Sequence, residues 1–142
     1  MAPTTTKKEI LCCIIALFIK KRLWYKDWLK KRNVDGIHAT ILYELRDGHK
    51  LDFRNYLRMS VNTFYMLLAK VEPHIVKKDT NMKDSITAEA RLEATLRYLA
   101  TGCTYSALQY STRISKQSLS KIIPETCLAI YHVLKDDYLQ VS

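Results

Sequence analysis

Hydrophobic residues recur at helical spacing in the first half of the chain, and the breaks between them predict separate helices. In VNTFYMLLAKV the apolar positions fall on one helical face, with Ser60 placed to cap the N-terminus and Pro73 to mark the end. Upstream, NVDG predicts a break, and IHATILYEL predicts a short helix that ends near Asp47 and Gly48. The polar run KKDTNMKDS predicts an exposed loop.

The second half of the chain predicts four helices, each with its own start signal. Thr87 is placed to cap a helix whose inner face carries leucines, and Gly102 supplies a left-handed stop. The other predicted starts are Thr104, for a helix through about Tyr110, Ser115, for a helix through about Ile123, and Pro124, for the last helix.

The most apolar run is ILCCIIALFI, from Ile10 to Ile19. A helix needs about 20 apolar residues to span a bilayer, and this run has half of that length before KKR begins. The residues after it, KKRLWYKDW, provide no small-residue cleavage site for a signal peptide. The run therefore predicts a core helix or a partner-binding helix, with a membrane-surface anchor as the alternative.

Composition supports one fold class, an all-α multi-helix domain. Hydrophobic residues make up 48% of the 142 residues, while glycine and proline number three each, too few for the turns of many short strands. We expect a helix-turn-helix within a three-helix core near residues 87–123, plus flanking helices. The expected order is a basic N-terminal helix or arm (1–35), a helical subdomain (36–76), a polar loop (77–86) and a helix-turn-helix subdomain (87–142).

The formal net charge of +9 favours a polyanionic partner, either nucleic acid or an acidic membrane surface. Two basic triplets, at residues 20–22 and 30–32, flank the sequence LWYKDWL. They fit a nuclear address or an arm that contacts phosphates. They also fit a solvated helix face with Trp24 and Trp28, one helical turn apart, packed inward.

A helix-turn-helix is indicated by the spacing of Leu108, Ile114, Leu119 and Ile122, which we expect to be buried. The outer face near the start of the second helix would then show Lys116, Gln117, Ser118 and Lys121. That end of a recognition helix faces base edges in the major groove. Amides and hydroxyls can read bases, whereas lysine and arginine hold phosphates.

The stretch STRISKQSLSKII contains three cations and no acid, and Asp and Glu are absent from Ala94 through Pro124. A surface that faces phosphates gains by excluding acids. However, any three-helix core can show the same spacing, and Gln109 and Arg113 stand where a small residue and a glycine are common. On spacing and charge alone, DNA binding and a merely solvated helix face both remain open.

No catalytic or metal site is predicted. The four cysteines form no CxxC pair and fit buried thiols, and the histidines lack a nucleophile or paired carboxylate at motif spacing. Asp136 and Asp137 are adjacent, so on a helix they point about 100° apart and make no metal triad. Asp79 and Asp84 fit loop acids. The cysteines are Cys12, Cys13, Cys103 and Cys127, and the histidines are His38, His49, His74 and His132.

Three quoted segments together resemble the N-terminal region of PIF/Harbinger-type transposases and of the Harbinger transposase-derived nucleases. They are LWYKDWLKKR, FRNYLRMSVNTFYMLL and the long stretch from KKDTNMKDSITAEARLEATLRYLATG through CTYSALQYSTRISKQSLSKIIPETCLAIYHVL. The resemblance runs from about Leu23 onward, and LRYLATG followed by SALQYSTRIS is its most specific part. YKDWL, at Tyr25 to Leu29, departs from the arginine-proline-tryptophan stretch usual in that family.

The resemblance implies a helical region with a helix-turn-helix, followed in the family by an RNase H-like nuclease domain. There, three acidic residues hold two divalent ions such as Mg²⁺. This chain stops at Ser142, about where that domain would begin, so we expect a DNA-binding region that lacks the catalytic domain. No enzyme activity and no cofactor are expected of this chain, and the expected location is the nucleus.

The expected DNA contacts divide between bases and phosphates. Lys116, Gln117 and Ser118 are expected at or near the bases, and Arg113, Ser120 and Lys121 at the phosphates. The alternative is a protein-interaction or dimerisation module, since family members work with a separate Myb-like protein. The helices around Ile10 to Trp28 and Phe64 to Val71 would then serve docking or self-association.

Overall fold

The computed structural model describes residues 7–12, 27–76 and 85–138, and every regular element within them is helical. This confirms the all-α, multi-helix fold. Residues 7–12 are helical, and a 3₁₀ turn at Asp27–Lys31 leads into the first short helix. The helices that follow are α1 (Arg32–Asp35), α2 (Ile41–Gly48), α3 (Lys50–Leu57), α4 (Val61–Ile75), α5 (Ala88–Thr101), α6 (Tyr105–Thr112) and α7 (Lys116–Tyr138).

The helix starts predicted from capping residues are confirmed. The Ser60 hydroxyl accepts the backbone N–H of Thr63 at 3.2 Å, at the start of α4. The Thr87 and Thr104 hydroxyls do the same for α5 and α6, at 3.2 and 3.1 Å. Each oxygen satisfies a donor that the first turn of a helix leaves free. Gly102 ends α5 in the left-handed conformation, with φ of 64°, as predicted.

Both prolines that were expected to bound helices lie inside them, so these two boundaries are wrong. Pro73 lies in the last turn of α4, which continues to Ile75, and Pro124 lies within α7, which runs unbroken from Lys116 to Tyr138. Both prolines are exposed. A proline removes one backbone hydrogen bond, but on an exposed face water can bind the carbonyl that is left. The buried residues of α7 on both sides of Pro124 hold the helix in place.

A first hydrophobic core lies between α2, α3, α4, α5 and α7. Its largest fully buried side chains are Phe53 and Phe64, whose rings meet edge to face at 5.8 Å. The two predicted subdomains, 36–76 and 87–142, both contribute to it and so share one core. Its buried members are Leu42, Phe53, Leu57, Phe64, Leu68, Val71, Ile75, Ala88, Leu92, Leu96 and Ala129.

A second core lies on another side of α5 and packs α6 and the first half of α7 against it. Its buried members are Ile86, Ala90, Ala94, Leu108, Ile114, Leu119, Ile122 and Ile123. Helix α5 serves both cores and is buried at every position from Ala90 to Leu96. Its buried polar groups therefore need partners: Arg91 Nε donates to the Ile86 carbonyl and the Thr95 hydroxyl to the Arg91 carbonyl, each at 2.8 Å.

The N-terminal apolar run is described only in part. Ile10 and Leu11 are helical and 56% and 57% exposed, so these two residues are not part of a core. Residues 13–26, which include Trp24 and the triplet 20–22, and residues 77–84 of the predicted loop, lie outside the described residues. Among the helices that are described, none is long and apolar enough to cross a membrane.

Candidate nucleic-acid interface

Helices α6 and α7 are joined by three residues, Arg113 to Ser115, and hydrogen bonds fix the start of α7. The Ser115 hydroxyl accepts the backbone N–H of Ser118 at 3.2 Å, which confirms Ser115 as the cap. A second cap comes from α6, where the Gln109 side-chain oxygen accepts the backbone N–H of Lys116 at 3.2 Å. The first turn of α7 is therefore tied to both its own cap and the preceding helix.

The four positions expected beneath this unit are all buried. Leu108 and Ile114 are 2% exposed, Leu119 is 0% and Ile122 is 3%. Gln109 stands where a small residue is common in such units and is 7% exposed. Its amide is tolerated in this buried place because its oxygen caps α7.

Arg113 was expected to contact a phosphate, but its side chain is engaged within the fold. It ends α6 in the left-handed conformation, with φ of 55°, in the place where a glycine is common. Its Nη1 donates to the carbonyl of Trp28 at 3.0 Å, and the Trp28 ring stacks on Tyr110 with centroids 5.5 Å apart. Arg113 thus holds the 3₁₀ turn at Asp27–Lys31 against α6, with its guanidinium partly occupied.

The other arginine of the acid-free stretch, Arg97 of α5, is also engaged within the fold. Arg97 lies over the Tyr56 ring, 4.0 Å from its centroid, and donates from Nη1 to the Tyr56 carbonyl at 3.2 Å. Of the four cations between Ala94 and Pro124, Lys116 and Lys121 are the exposed ones. The charge that faces solvent near the start of α7 is therefore carried by two lysines.

The exposed face at the start of α7 consists of Lys116, Gln117, Ser120 and Lys121. Ser118 was expected on this face but is half-buried, and its hydroxyl accepts a hydrogen bond from the Ser115 hydroxyl at 3.0 Å. The Ser120 hydroxyl is exposed but donates to the Gln117 carbonyl at 2.6 Å. We call these four exposed residues the α7 basic face. Amide and ammonium groups on it are available to an external ligand.

The first acid that follows along α7 is Glu125, whose carboxylate lies 3.9 Å from Arg91 Nη1. Asp136 and Asp137 are exposed near the end of the helix, and Asp137 pairs with Lys70 at 3.5 Å. The acids of α7 are thus at least one turn beyond the α7 basic face. Glu125 is exposed and lies four residues after Lys121, so it borders the α7 basic face on its C-terminal side.

A second cluster, which the sequence did not predict, joins His38 to two carboxylates of α5. His38 Nδ1 lies 2.7 Å from Glu93 Oε2, and ligand atoms of His38, Glu89 and Glu93 all lie within 4.8 Å of one another. Glu93 is 5% exposed. Burial raises the pKa of Glu93, opposed by the hydrogen bond with His38, and that same bond raises the pKa of His38.

Glu89 in this cluster also belongs to a chain of hydrogen bonds. The Tyr65 hydroxyl donates to Glu89 Oε1 at 2.9 Å and accepts from Arg46 Nη1 at 2.8 Å. His38 and Glu93 are 55 positions apart in sequence. The signal that could have found part of the cluster is the four-residue spacing of Glu89 and Glu93, which places both on one side of α5.

Comparison with models of known protein families, with curated proteins and with solved structures gives no match.

Proposed function

We propose that this chain is a DNA-binding helical region in which α7 enters the major groove. The observation that carries the proposal is the α7 basic face. It combines two exposed lysines and an exposed amide on the first turns of a doubly capped helix, and no acid occurs from Ala94 through Pro124. Exposed cations gain affinity for DNA by releasing counterions, and a rigid helix start gives base contacts a fixed register.

The proposed contacts follow from exposure. Lys116 and Gln117 lie on the first turn of α7 and are assigned to base edges, and Lys121 and Ser120 to phosphates, as expected from the sequence. Arg113 and Ser118, which were expected to contact DNA directly, have roles within the fold, so we assign them to holding the helix in position.

The resemblance to Harbinger-type transposases and their derived nucleases supports the same proposal. The resemblance rests on the motifs LRYLATG and SALQYSTRIS. It implies that the chain corresponds to the helical DNA-binding region of that family. We therefore propose a nuclear location and no cleavage by this chain alone. No catalytic residue is proposed.

The test is DNA affinity as a function of salt for the parent and for Lys116→Glu and Lys121→Glu. Reversing either lysine should weaken binding, and loss of the Lys121 phosphate contact should also reduce the slope of log affinity against log salt by about one unit. The matched control is Lys50→Glu, which makes the same charge change on α3, where Lys50 is also exposed. A parent that does not bind DNA, or an equal loss in all three variants, would overturn the proposal.

Gln117→Ala separates base reading from charge. If the amide contacts a base edge, its loss should relax sequence preference by about 1–3 kcal/mol and leave the salt slope unchanged. Circular dichroism confirms that each variant keeps the helical fold. Unchanged sequence preference would remove Gln117 from the proposed base contacts.

A second candidate function is docking of a protein partner, such as a Myb-like protein, or self-association. Exposed Ile10 and Leu11 favour it, because apolar side chains at helical positions gain from being covered. The other helix expected to dock contributes less: Phe64, Leu68 and Val71 lie in the first core, and Met66 is the exposed large apolar residue between them. Binding of the Lys→Glu variants to DNA as tightly as the parent would favour this candidate.

A further inference from the structure

We propose that His38, Glu89 and Glu93 form a binding site for a divalent cation of the zinc type, separate from the DNA-binding function. His38 lies in the turn between α1 and α2, and the two carboxylates extend from α5. Three side chains that can each give one ligand atom thus converge from two parts of the chain. A bound ion would link the turn that precedes α2 to the central helix.

The spacing of the ligand atoms is close to what a cation requires. At ligand distances of 2.0–2.2 Å, the ligand atoms of a tetrahedral zinc ion lie about 3.4 Å apart. The atoms here lie within 4.8 Å of one another, and the closest two, His38 Nδ1 and Glu93 Oε2, are 2.7 Å apart. Small side-chain rotations would therefore bring the three into coordination. Glu89, whose side chain is 25% exposed, has the most room for such a rotation.

The charged groups around the cluster are compatible with a bound cation. Glu93 is a buried carboxylate, and burial of a carboxylate is costly unless positive charge lies opposite it. Arg46 Nη1 lies 3.7 Å from Glu89 Oε1 and would repel an ion. However, Arg46 also pairs with Asp47 at 3.1 Å and lies over the Tyr43 ring at 4.3 Å, so it keeps partners if it moves away.

A cavity of about 40 Å³ adjoins the cluster, with His38 and Glu93 in its wall. A buried water needs about 10–15 Å³ of such space, so the cavity can admit a water as the fourth ligand. Arg32 and Arg97 also line the cavity. Their positive charge should reduce the affinity for a cation, although Arg97 is held against Tyr56.

The ligand set selects the kind of ion. One imidazole nitrogen with two carboxylates suits Zn²⁺ and Co²⁺, which accept mixed nitrogen and oxygen ligands in tetrahedral sites. Mg²⁺ prefers six oxygens in an octahedron and keeps most of its waters. We therefore expect Zn²⁺ to bind with one equivalent per chain and Mg²⁺ not to compete.

The test measures Zn²⁺ binding to the full chain by competition with a chromophoric chelator, and Co²⁺ binding by its visible absorption. The variants are Glu89→Gln and His38→Ala. Glu89→Gln is nearly isosteric and can still accept from Tyr65. Each should weaken Zn²⁺ binding at least about tenfold, since even loss of a supporting residue around a metal site costs 10–100-fold.

The matched controls are Glu72→Gln and His74→Ala, which change the same residue types at exposed positions of α4 and should bind as the parent does. The Co²⁺ spectrum should lack the near-ultraviolet charge-transfer band that cysteine ligands give. Absence of Zn²⁺ binding in the parent, equal binding in all variants, or a thiolate band would overturn the proposal.

A readout of stability covers the case in which a variant folds poorly. Zn²⁺ should raise the melting temperature of the parent, because an ion that binds the folded chain stabilises it. The same addition should raise the melting temperature of Glu89→Gln by less at equal Zn²⁺ concentration. A rise of the same size in both proteins would assign the binding to other groups. DNA affinity of Glu89→Gln should equal that of the parent, so this proposal and the DNA-binding proposal can fail separately.

Discussion

The α7 basic face and the His38–Glu93 cluster use charged groups in opposite ways. Lys116 and Lys121 are exposed at the surface of α7. His38 and Glu93 are paired at 2.7 Å, with the carboxylate buried. An exposed charge is available to a ligand, and its removal costs the fold little, whereas a buried charge is tied to the packing around it. Mutations in the two regions should therefore have different consequences for stability.

Helix α5 supports both regions. Its Ala90 and Ala94 pack in the second core beneath α6 and α7, while its Glu89 and Glu93 face His38. The segment from Gly36 to His38 joins the His38–Glu93 cluster to α6. Ile37 donates its N–H to the Ser111 carbonyl of α6 at 2.9 Å, and His38 is the next residue. A substitution in α5 would disturb both regions, so substitutions in α7 and at Gly36 distinguish the regions better.

The largest expected effect is that of Leu119→Ala, which tests what holds the α7 basic face in place. Leu119 is 0% exposed in the second core, so truncation should lower the free energy of unfolding by about 2–5 kcal/mol. Urea unfolding followed by circular dichroism measures it. The control is Leu128→Ala on the same helix, where Leu128 is 56% exposed and the cost should stay within about 0.5 kcal/mol. Equal costs for the two variants would contradict the described packing of α7.

Leu119 also shows what could be predicted from the sequence. Its burial, with that of Leu108, Ile114 and Ile122, follows from apolar spacing within about fifteen residues, and spacing of this kind is set by the local helix geometry. The caps at Ser60, Thr87, Thr104 and Ser115 were predictable for the same reason, because a cap and the N–H that it accepts are three residues apart.

The features that escaped prediction depend on contacts between distant parts of the chain. Arg113 donates to Trp28, 85 positions away, and nothing in either local sequence indicates that pairing. His38 and Glu93 meet only because the turn after α1 lies beside α5. Pro124 failed as a helix boundary because burial of Ile122, Ile123 and Thr126 outweighs one lost hydrogen bond on an exposed face.

Gly36→Ala tests the connection between the two regions and should have an intermediate effect. A Cβ at Gly36 would lie 2.5 Å from the Arg32 carbonyl oxygen and 3.0 Å from that of Thr112, both backbone atoms. The backbone must shift, at a cost of about 1–3 kcal/mol of unfolding free energy. The control is Gly48→Ala, at the end of α2, where an added Cβ meets nothing within 4 Å and should be neutral or slightly stabilising. Equal unfolding midpoints for the two variants would refute the close approach of Gly36 to α6.

Ser115→Ala should have the smallest effect and tests how far the α7 basic face depends on its cap. The Ser115 hydroxyl accepts the Ser118 N–H, and loss of a serine cap costs about 1 kcal/mol. Ser120→Ala is the control: that hydroxyl donates to the Gln117 carbonyl on an exposed face and caps nothing, so its removal should cost less than about 0.5 kcal/mol.

Because neither change alters charge, the salt slope of DNA affinity should match the parent in both. Ser115→Ala should still weaken affinity slightly, since a frayed first turn of α7 holds Lys116 and Gln117 less firmly. A changed salt slope in Ser115→Ala would instead show that the frayed turn had displaced Lys116, so that the charged part of the interface depends on the cap.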